Sequence, residues 1–347
     1  MLRHYAFQAV DFTRVAEAAE CDYTDCIFMG CNIPEDMLCR VDANCFIFPS
    51  MPKPFGLFPA KLYSAQTLYA GYNPQQADTF LACYDSRVYA HYIAQGKQSS
   101  DIGETLARSL HDHSVSDALH DMLAGYDERA VVAIMGGHSL SRTDEVYYTV
   151  AKTSKLLTEQ GKLMVSGGGP GAMEATHLGA WMAGRTEEEL RRAVEMLARA
   201  PKFENEGWLE SAFEVMERYP RDEKYCSVGI PTWFYGHEPA TPFASHIAKY
   251  FDNSIREDGL LAIAKGGVIY SPGSAGTMQE VFQDAAQNHY KTFGFASPMV
   301  FLGREHWTWT MPVYPLLEQL QREGRYKNLI LSLADTAEEV VSKILKF

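Results

Sequence analysis

The sequence predicts an α/β protein built on a doubly wound parallel sheet of the Rossmann-like type. Three mainly apolar runs each end in a glycine-rich turn and continue with helical spacing; they span residues 130–135, 162–166 and 267–270. Strands that alternate with helices in this way are typical of parallel sheets covered by helices on both faces. Because ligands bind at the carboxyl ends of such strands, the three turns are predicted to share one site.

The chain is expected to contain two regions that differ in their predicted secondary structure, with a boundary near residue 128. Residues 129–347 carry the sheet, and their further strands are predicted at 225–230, 298–302 and 329–333. Their helices are predicted at 143–159, 186–200, 208–219, 242–250, 313–322 and 337–345. Residues 1–128 combine two short strands, a proline-rich stretch and long helical spacing, so this region is predicted to be mixed α/β or mainly helical.

Composition excludes some classes of function. The 347-residue chain has a net charge of −13, which argues against nucleic acid as the main partner because phosphate backbones are bound by clustered Lys and Arg. No apolar run reaches membrane-spanning length, and the first residues do not read as a signal peptide. The cysteines near the amino terminus lack metal-ligand spacing. We therefore expect a cytoplasmic protein with reduced thiols, no metal and no membrane partner.

The central motif is the strand, turn and helix that span residues 267–286. Gly273 and Gly276 would let the backbone approach a phosphate, and Thr277 could cap the helix or donate its hydroxyl group to a ligand. Glu280 lies about one turn further along the helix, on the same side. Two interpretations of Glu280 stay open: a Thr-x-x-Glu capping box, or a carboxylate with a chemical role.

The second glycine motif, Gly167 to Ala172, also fits a loose dinucleotide fingerprint. That fingerprint should follow the first strand of its unit, with an acidic residue ending the next strand, whereas here it follows the second strand and the acidic run begins inside a helix at Glu187. An NAD-dependent oxidoreductase is therefore disfavoured. The glycines could instead contact a mononucleotide or allow tight packing of strand and helix.

Taken together, these motifs resemble those of the LOG-type phosphoribohydrolases, a family long mislabelled as lysine decarboxylases. The family has a Pro-Gly-Gly-x-Gly-Thr-x-x-Glu loop, an earlier triple-glycine turn followed by methionine, and an arginine before the last central strand. The counterparts here are Pro272–Glu280, Gly167–Met173 and Arg256, within about residues 129–303. Two residues depart from the pattern: Ser274 replaces a glycine, and Glu257 replaces the lysine of cytokinin-activating members.

The resemblance implies hydrolysis of the N-glycosidic bond of a nucleoside 5′-monophosphate, without a cofactor or metal. It implies that Arg256 and Glu280 are catalytic, since a carboxylate near C1′ could stabilise the developing sugar cation. It also implies a substrate-binding set: Gly137, His138, Ser139, Gly168, Gly169, Met173, Gly273, Ser274, Ala275, Gly276 and Thr277.

Alternatives remain at this stage. A nucleotide-sensing or carrier protein could use the same scaffold without catalysis, because fold does not fix function. Such a binder would not require the Arg256 and Glu280 pair. Arg256 could also be a surface residue paired with Glu257 or Asp258.

The resemblance further implies a homodimer or larger homo-oligomer, with Trp233–Tyr235 and His289–Tyr290 as candidate contact residues. We expect light scattering at micromolar concentration to give at least twice the mass of the 38.9 kDa chain. A single species at the mass of one chain would contradict this prediction.

Overall fold

The computed structural model describes residues 1–347, which form two compact units. One unit consists of Met1–Leu62 and Arg87–Met122, and the other of Tyr63–Ser86 and Leu123–Phe347. This division differs from the predicted boundary at residue 128, because the segment Tyr63–Ser86 belongs to the larger, carboxyl-terminal unit. None of the helices has the length and apolar character needed to span a bilayer.

The strands and helices alternate along most of the chain. The strands are β1 (Leu2–Arg3), β2 (Ala6–Gln8), β3 (Tyr23–Thr24), β4 (Ile27–Met29), β5 (Phe46–Phe48), β6 (Val131–Met135), β7 (Leu163–Ser166), β8 (Ser227–Gly229), β9 (His246–Ile247), β10 (Val268–Tyr270), β11 (Pro298–Leu302) and β12 (Ile330–Ala334). The helices are α1 (Glu35–Leu38), α2 (Ala65–Leu68), α3 (Tyr84–Ala94), α4 (Ile102–Leu123), α5 (Glu145–Glu159), α6 (Ala172–Trp181), α7 (Glu187–Leu197), α8 (Trp208–Arg218), α9 (Asn253–Ile263), α10 (Ala275–Tyr290), α11 (Val313–Arg322) and α12 (Ala337–Ile344).

The larger unit contains a seven-stranded parallel sheet in the order β12-β11-β10-β6-β7-β8-β9. This sheet confirms the predicted Rossmann-like fold class. The first strand, β6, lies inside the sheet; the strands that follow it run outward to one edge, and the chain then returns to β10 on its other side. Strand order therefore reverses between β6 and β10. In such sheets this switch point opens a crevice for ligands at the carboxyl ends of the strands.

The central strands form because they are buried on both faces. Val131–Met135 and Pro298–Leu302 have no exposed residue, which is the pattern of parallel strands covered by helices. Their side chains join those of α5, α6 and α12 in one hydrophobic core. Helix α7 shows a different local cause: the Thr186 hydroxyl and the Glu189 carboxylate close a reciprocal capping box at its start.

One predicted element is wrong. Residues 242–250 form no helix; they run extended through β9, where Gly229 pairs with Ile247 and Tyr63 bridges Ile247 from the other side. Residues on both faces of this segment are buried, so pairing with neighbouring backbone outweighs its helical spacing. The other predicted strands of the sheet lie within two residues of the observed bounds.

The smaller unit begins with a coiled parallel β structure that the sequence analysis did not foresee. Leu2 pairs with Tyr23, and Phe7 pairs with Phe28, so each turn of the coil takes about twenty residues. The corners bend where non-glycine residues such as His4 and Ala9 adopt positive φ, five positions apart. Phe7 and Phe28 stack inside the coil at a ring distance of 5.1 Å.

The segment Tyr63–Ser86 is anchored to the sheet by a buried ion pair. Asp85 accepts a hydrogen bond from Trp233 Nε1 at 2.8 Å, and its Oδ1 lies 2.7 Å from Lys249 Nζ. Trp233 is fully buried and stacks on Phe251 at 4.5 Å, so it is a core residue and not the surface contact that we predicted. Tyr235 and Tyr290 are exposed.

We expect Asp85→Ala to lower the free energy of unfolding of the larger unit by about 3–5 kcal/mol, because it leaves the Lys249 ammonium buried and unpaired. The measurement is denaturant unfolding followed by tryptophan fluorescence. The double variant Asp85→Asn/Lys249→Met should lose less stability than the sum of the losses measured separately for Asp85→Asn and for Lys249→Met.

The exposed pair of Arg192 and Glu188 offers a control. Arg192→Ala should change stability by less than about 1 kcal/mol. Equal effects of Asp85→Ala and Arg192→Ala would show that the buried pair does not anchor the segment.

Candidate functional site

The amino terminus of α10 is free to bind an anion. The helix begins at Ala275 after Ser274, whose hydroxyl group makes no capping hydrogen bond. The first intrahelical bond runs from Met278 N to Ser274 O at 3.0 Å, so the N–H groups of Ala275, Gly276 and Thr277 have no partner within the helix. Ser274, Ala275 and Gly276 are exposed. Free N–H groups and the positive end of the helix dipole together favour a bound phosphate or carboxylate.

Gly273 allows this turn to close tightly. A Cβ atom on Gly273 would lie 2.1 Å from the Thr277 hydroxyl oxygen, so any side chain would displace Thr277. Thr277 is buried in the first turn of the helix and is not its capping residue. The capping interpretation of Glu280 is therefore wrong, because the helix starts earlier than the Thr-x-x-Glu box requires.

The turn after β6 lies against the turns after β7 and β10. Gly137 N donates to Pro272 O at 3.3 Å, and Ala172 N donates to Gly137 O at 3.2 Å. A Cβ atom on Gly171 would lie 2.4 Å from Gly137 O. The three glycine turns predicted to share a site are thus in backbone contact at the switch point of the sheet.

Within these turns the predicted binding residues differ in accessibility. His138 and Ser139 are exposed on the turn after β6. Gly168 and Gly169 are buried, and their backbone is covered on one side by Met173, whose methyl carbon lies 2.9 Å from the Cβ position of Gly169. A ligand above this turn would therefore meet the Met173 thioether rather than the two glycines.

Arg256 projects from α9 into the same region. Its Nε donates to Ile230 O at 2.9 Å, and its Nη2 lies 2.3 Å from the Cβ position of Gly167, where a side chain would block it. The side chain is 11% exposed, and its Nη1 is 3.8 Å from Glu257, beyond hydrogen-bonding distance. Asp258 instead accepts from Gln283. Arg256 is therefore not the surface residue of that alternative and does not pair with Asp258, although it does form the expected ion pair with Glu257 at this long distance.

Glu280 is a half-buried carboxylate in the second turn of α10, without a hydrogen bond to the protein. Burial raises its pKa to about 7; the Arg256 guanidinium pulls this pKa down and the Glu257 carboxylate pushes it up. Arg256 and Glu280 are thus brought within electrostatic reach of each other. A carboxyl group with such a pKa and no structural partner is characteristic of a functional site.

A second carboxyl group, missed by the sequence analysis, lies one turn after Glu280 along α10. Asp284 is buried, accepts a hydrogen bond from Tyr270 at 2.7 Å, and has its pKa raised to about 7 by burial. Tyr270 belongs to β10, so this bond ties the helix to the strand beneath it. The spacing of four residues from Glu280 on a predicted helix was the signal available in the sequence.

A buried hydrogen-bond network also supports the triple-glycine turn. Glu174, in the first turn of α6, receives hydrogen bonds from Arg142 Nε and from Tyr147, both at 2.8 Å. Arg142 in turn donates to Ser211 and to the carbonyl group of Trp208. This buried and internally satisfied network fixes the start of α6, and with it the position of Met173.

Comparisons with known proteins assign no function to the chain. No protein-family model and no curated protein matches the sequence. A molybdenum cofactor binding protein from the phototrophic bacterium Rippkaea orientalis is 15% identical, with TM-score 0.38 over 62% of this chain and 95% of that one. The structural-genomics target TM1055 is 21% identical, with TM-score 0.41 over 62% and 99%.

A Moco carrier protein from Chlamydomonas reinhardtii is 14% identical, with TM-score 0.37 over 62% of this chain and 97% of its own. Likeness at this level assigns no activity to the chain.

The raised pKa of Glu280 predicts a pH dependence of stability. Because the folded protein holds this proton more tightly than the unfolded chain, stability should fall as pH rises from about 4.5 to about 7, and then level off. Glu280→Gln removes the contribution of Glu280 and leaves that of Asp284, whose pKa is raised in the same way. The variant should therefore gain stability relative to the wild type across this interval, in denaturant unfolding measured at several pH values.

Gln287→Asn on the same helix adds or removes no titratable group, so its stability difference from the wild type should not change with pH. A flat difference for Glu280→Gln would contradict the raised pKa.

Proposed function

We propose that this protein is a LOG-type phosphoribohydrolase, which hydrolyses the N-glycosidic bond of a nucleoside 5′-monophosphate to free base and ribose 5-phosphate. The observation that carries the proposal is the placement of Arg256 and Glu280 beside the uncapped amino terminus of α10, at the switch point of the sheet. This arrangement supplies an anion site and a carboxylate within one crevice.

The 5′-phosphate is assigned to the turn from Gly273 to Thr277. The free N–H groups of the first helical turn would donate to its oxygens. Ser274 adds an exposed hydroxyl group where the family has glycine. This binding energy would hold the sugar in place while the glycosidic bond breaks, so the phosphate contributes to catalysis as well as to affinity.

Glu280 is assigned to the sugar. As the C1′–N bond breaks, its electron pair leaves with the base, which takes up a proton, and C1′ gains positive charge. An ionised Glu280 would stabilise this charge and orient the water that adds to C1′ and loses a proton. Arg256 would lower the pKa of Glu280 and so keep it ionised, or it would donate hydrogen bonds to the phosphate. His138 and Ser139 would flank the ribose or the base from the exposed turn after β6.

We expect the purified protein to release base and ribose 5-phosphate from at least one nucleoside 5′-monophosphate, and to act poorly on the matching nucleoside. Glu280→Gln should lower the rate by about 100-fold or more, since one well-placed charge of this kind is worth about 3–4 kcal/mol. Nucleotide affinity should hold or increase, because the variant removes a charge that repels the phosphate. The assay is chromatography of the free base at pH 8, above the pKa of Glu280, with calorimetry for binding.

Asp258→Asn is the matched control, because it removes a carboxylate of α9 that bonds to Gln283. Its turnover should stay within a few-fold of the wild type. Equal rates on nucleoside and nucleotide, or unchanged turnover of Glu280→Gln, would overturn the catalytic assignment. Nucleotide binding without any turnover would instead favour a sensor or carrier on the same scaffold.

A further inference from the structure

The loop that leaves β8 returns to the triple-glycine turn and brings a carboxylate to it. Glu238 Oε2 lies 3.6 Å from the Cβ position of Gly169. Met173 covers the same position, with its methyl carbon at 2.9 Å. Glu238 was not among the residues predicted from the sequence, and the proposed hydrolysis assigns it no role.

The loop is fixed at both ends, so the fold sets the position of Glu238. Pro231 Cδ lies 2.8 Å from the Cβ position of Gly168, and Thr241 N donates to Gly168 O at 2.8 Å. The carbonyl group of Ala240 accepts a hydrogen bond from the buried hydroxyl group of Tyr69. A loop held in this way presents its side chain at low entropic cost to a ligand.

The Glu238 carboxylate retains capacity to accept hydrogen bonds. Its side chain is 18% exposed, and the His237 Nε2 atom is 3.8 Å away, beyond hydrogen-bonding distance. A carboxylate has two oxygens that can accept a pair of parallel N–H donors. A largely buried carboxylate is costly to desolvate unless a donor meets it, so this group favours a ligand with hydrogen-bond donors.

Arg256, Met173 and Glu238 all lie against the triple-glycine turn. The Cβ position of Gly167 lies 2.3 Å from Arg256 Nη2 and 2.6 Å from Met173 Sδ. The Cβ position of Gly169 is close to the Met173 methyl carbon and to Glu238 Oε2. With the sugar at Arg256 and Glu280, a base stacked on the Met173 thioether would point its outer edge at Glu238.

We propose that Glu238 reads the base and selects guanine, so that the preferred ligand is guanosine 5′-monophosphate; this inference rests on the proposed function. Guanine presents two adjacent donors, N1–H and the 2-amino group, which match the two carboxylate oxygens. Adenine and cytosine place a ring-nitrogen lone pair beside their amino group, and that lone pair would face a carboxylate oxygen. Hypoxanthine keeps N1–H and lacks the 2-amino group.

The test compares the 5′-monophosphates of guanosine and inosine, which differ only in the 2-amino group. In the wild type, guanosine monophosphate should exceed inosine monophosphate by about tenfold or more in kcat/KM, the scale of one bidentate base contact. Glu238→Gln should reduce this ratio to about threefold or less, since its amide supplies a donor where an acceptor is needed. Glu217→Gln, on an exposed face of α8, should leave the ratio unchanged.

Calorimetric binding of both nucleotides to Glu280→Gln separates the two proposals. If no nucleotide is hydrolysed but the guanosine nucleotide binds tighter in a Glu238-dependent manner, the hydrolase proposal fails and base reading stands. If hydrolysis occurs with equal preference for the two nucleotides, with a preference for adenosine monophosphate, or with a ratio unchanged in Glu238→Gln, the guanine proposal is overturned.

Discussion

The site depends on glycines that approach neighbouring backbone or side-chain atoms too closely for a Cβ atom to fit. The Cβ position of Gly136 lies 1.9 Å from Ser271 Oγ, and that of Gly171 lies 2.4 Å from Gly137 O. The same constraint reaches beneath the site, where α5 and α6 meet and the Cβ position of Gly179 lies 2.1 Å from Ala151 O. Glycine costs conformational entropy on folding. That cost is offset here because the three turns can then meet with their backbone groups directed at one crevice.

The electrostatics of the crevice are unbalanced without a ligand. The amino terminus of α10 and the Arg256 guanidinium favour negative charge, while Glu280 places a carboxyl group beside them at a cost that its raised pKa records. In the proposed reaction this cost becomes useful. The phosphate of the substrate accepts hydrogen bonds from the N–H groups at the helix end. The positive charge that pairs with Glu280 develops on the sugar only as the glycosidic bond breaks. The carboxylate thus favours the transition state over the bound substrate, which is the condition for catalysis.

The sequence revealed the larger sheet because burial on both faces leaves continuous apolar runs, as at Val131–Met135 and Pro298–Leu302. The spacing after the glycine turn singled out Glu280, and the resemblance to the LOG-type family singled out Arg256. The sequence did not reveal β9, whose two residues are held by partners distant in sequence. The coil of the smaller unit did leave a signal, since Leu2, Phe7 and Phe12 recur every five residues, but strands of two or three residues fall below ordinary strand patterns.

Residues that act from a distance left no local pattern at all. Glu238 follows a short 3-10 turn at Trp233–Tyr235, and contacts of this loop with residues distant in sequence, such as Gly168 and Tyr69, place its carboxylate at the site. Asp85 forms its buried hydrogen bond with Trp233 and its ion pair with Lys249, and both partners are distant in sequence. Such pairings are properties of the folded topology, and a single sequence contains no periodicity that predicts them.

The anchoring of Tyr63–Ser86 explains how a segment from the first part of the chain influences a site built by the second. Asp85 fixes Trp233 near the start of the loop after β8, and Tyr69 fixes Ala240 near its end. Glu238 lies between these two anchors. The phosphate turn, by contrast, is formed wholly by β10, α10 and the neighbouring glycine turns. The proposed anion binding and the proposed base reading therefore have separate structural supports. If both proposals hold, a change in segment Tyr63–Ser86 alters the preferred base while the turn Gly273–Thr277 and Glu280 stay in place.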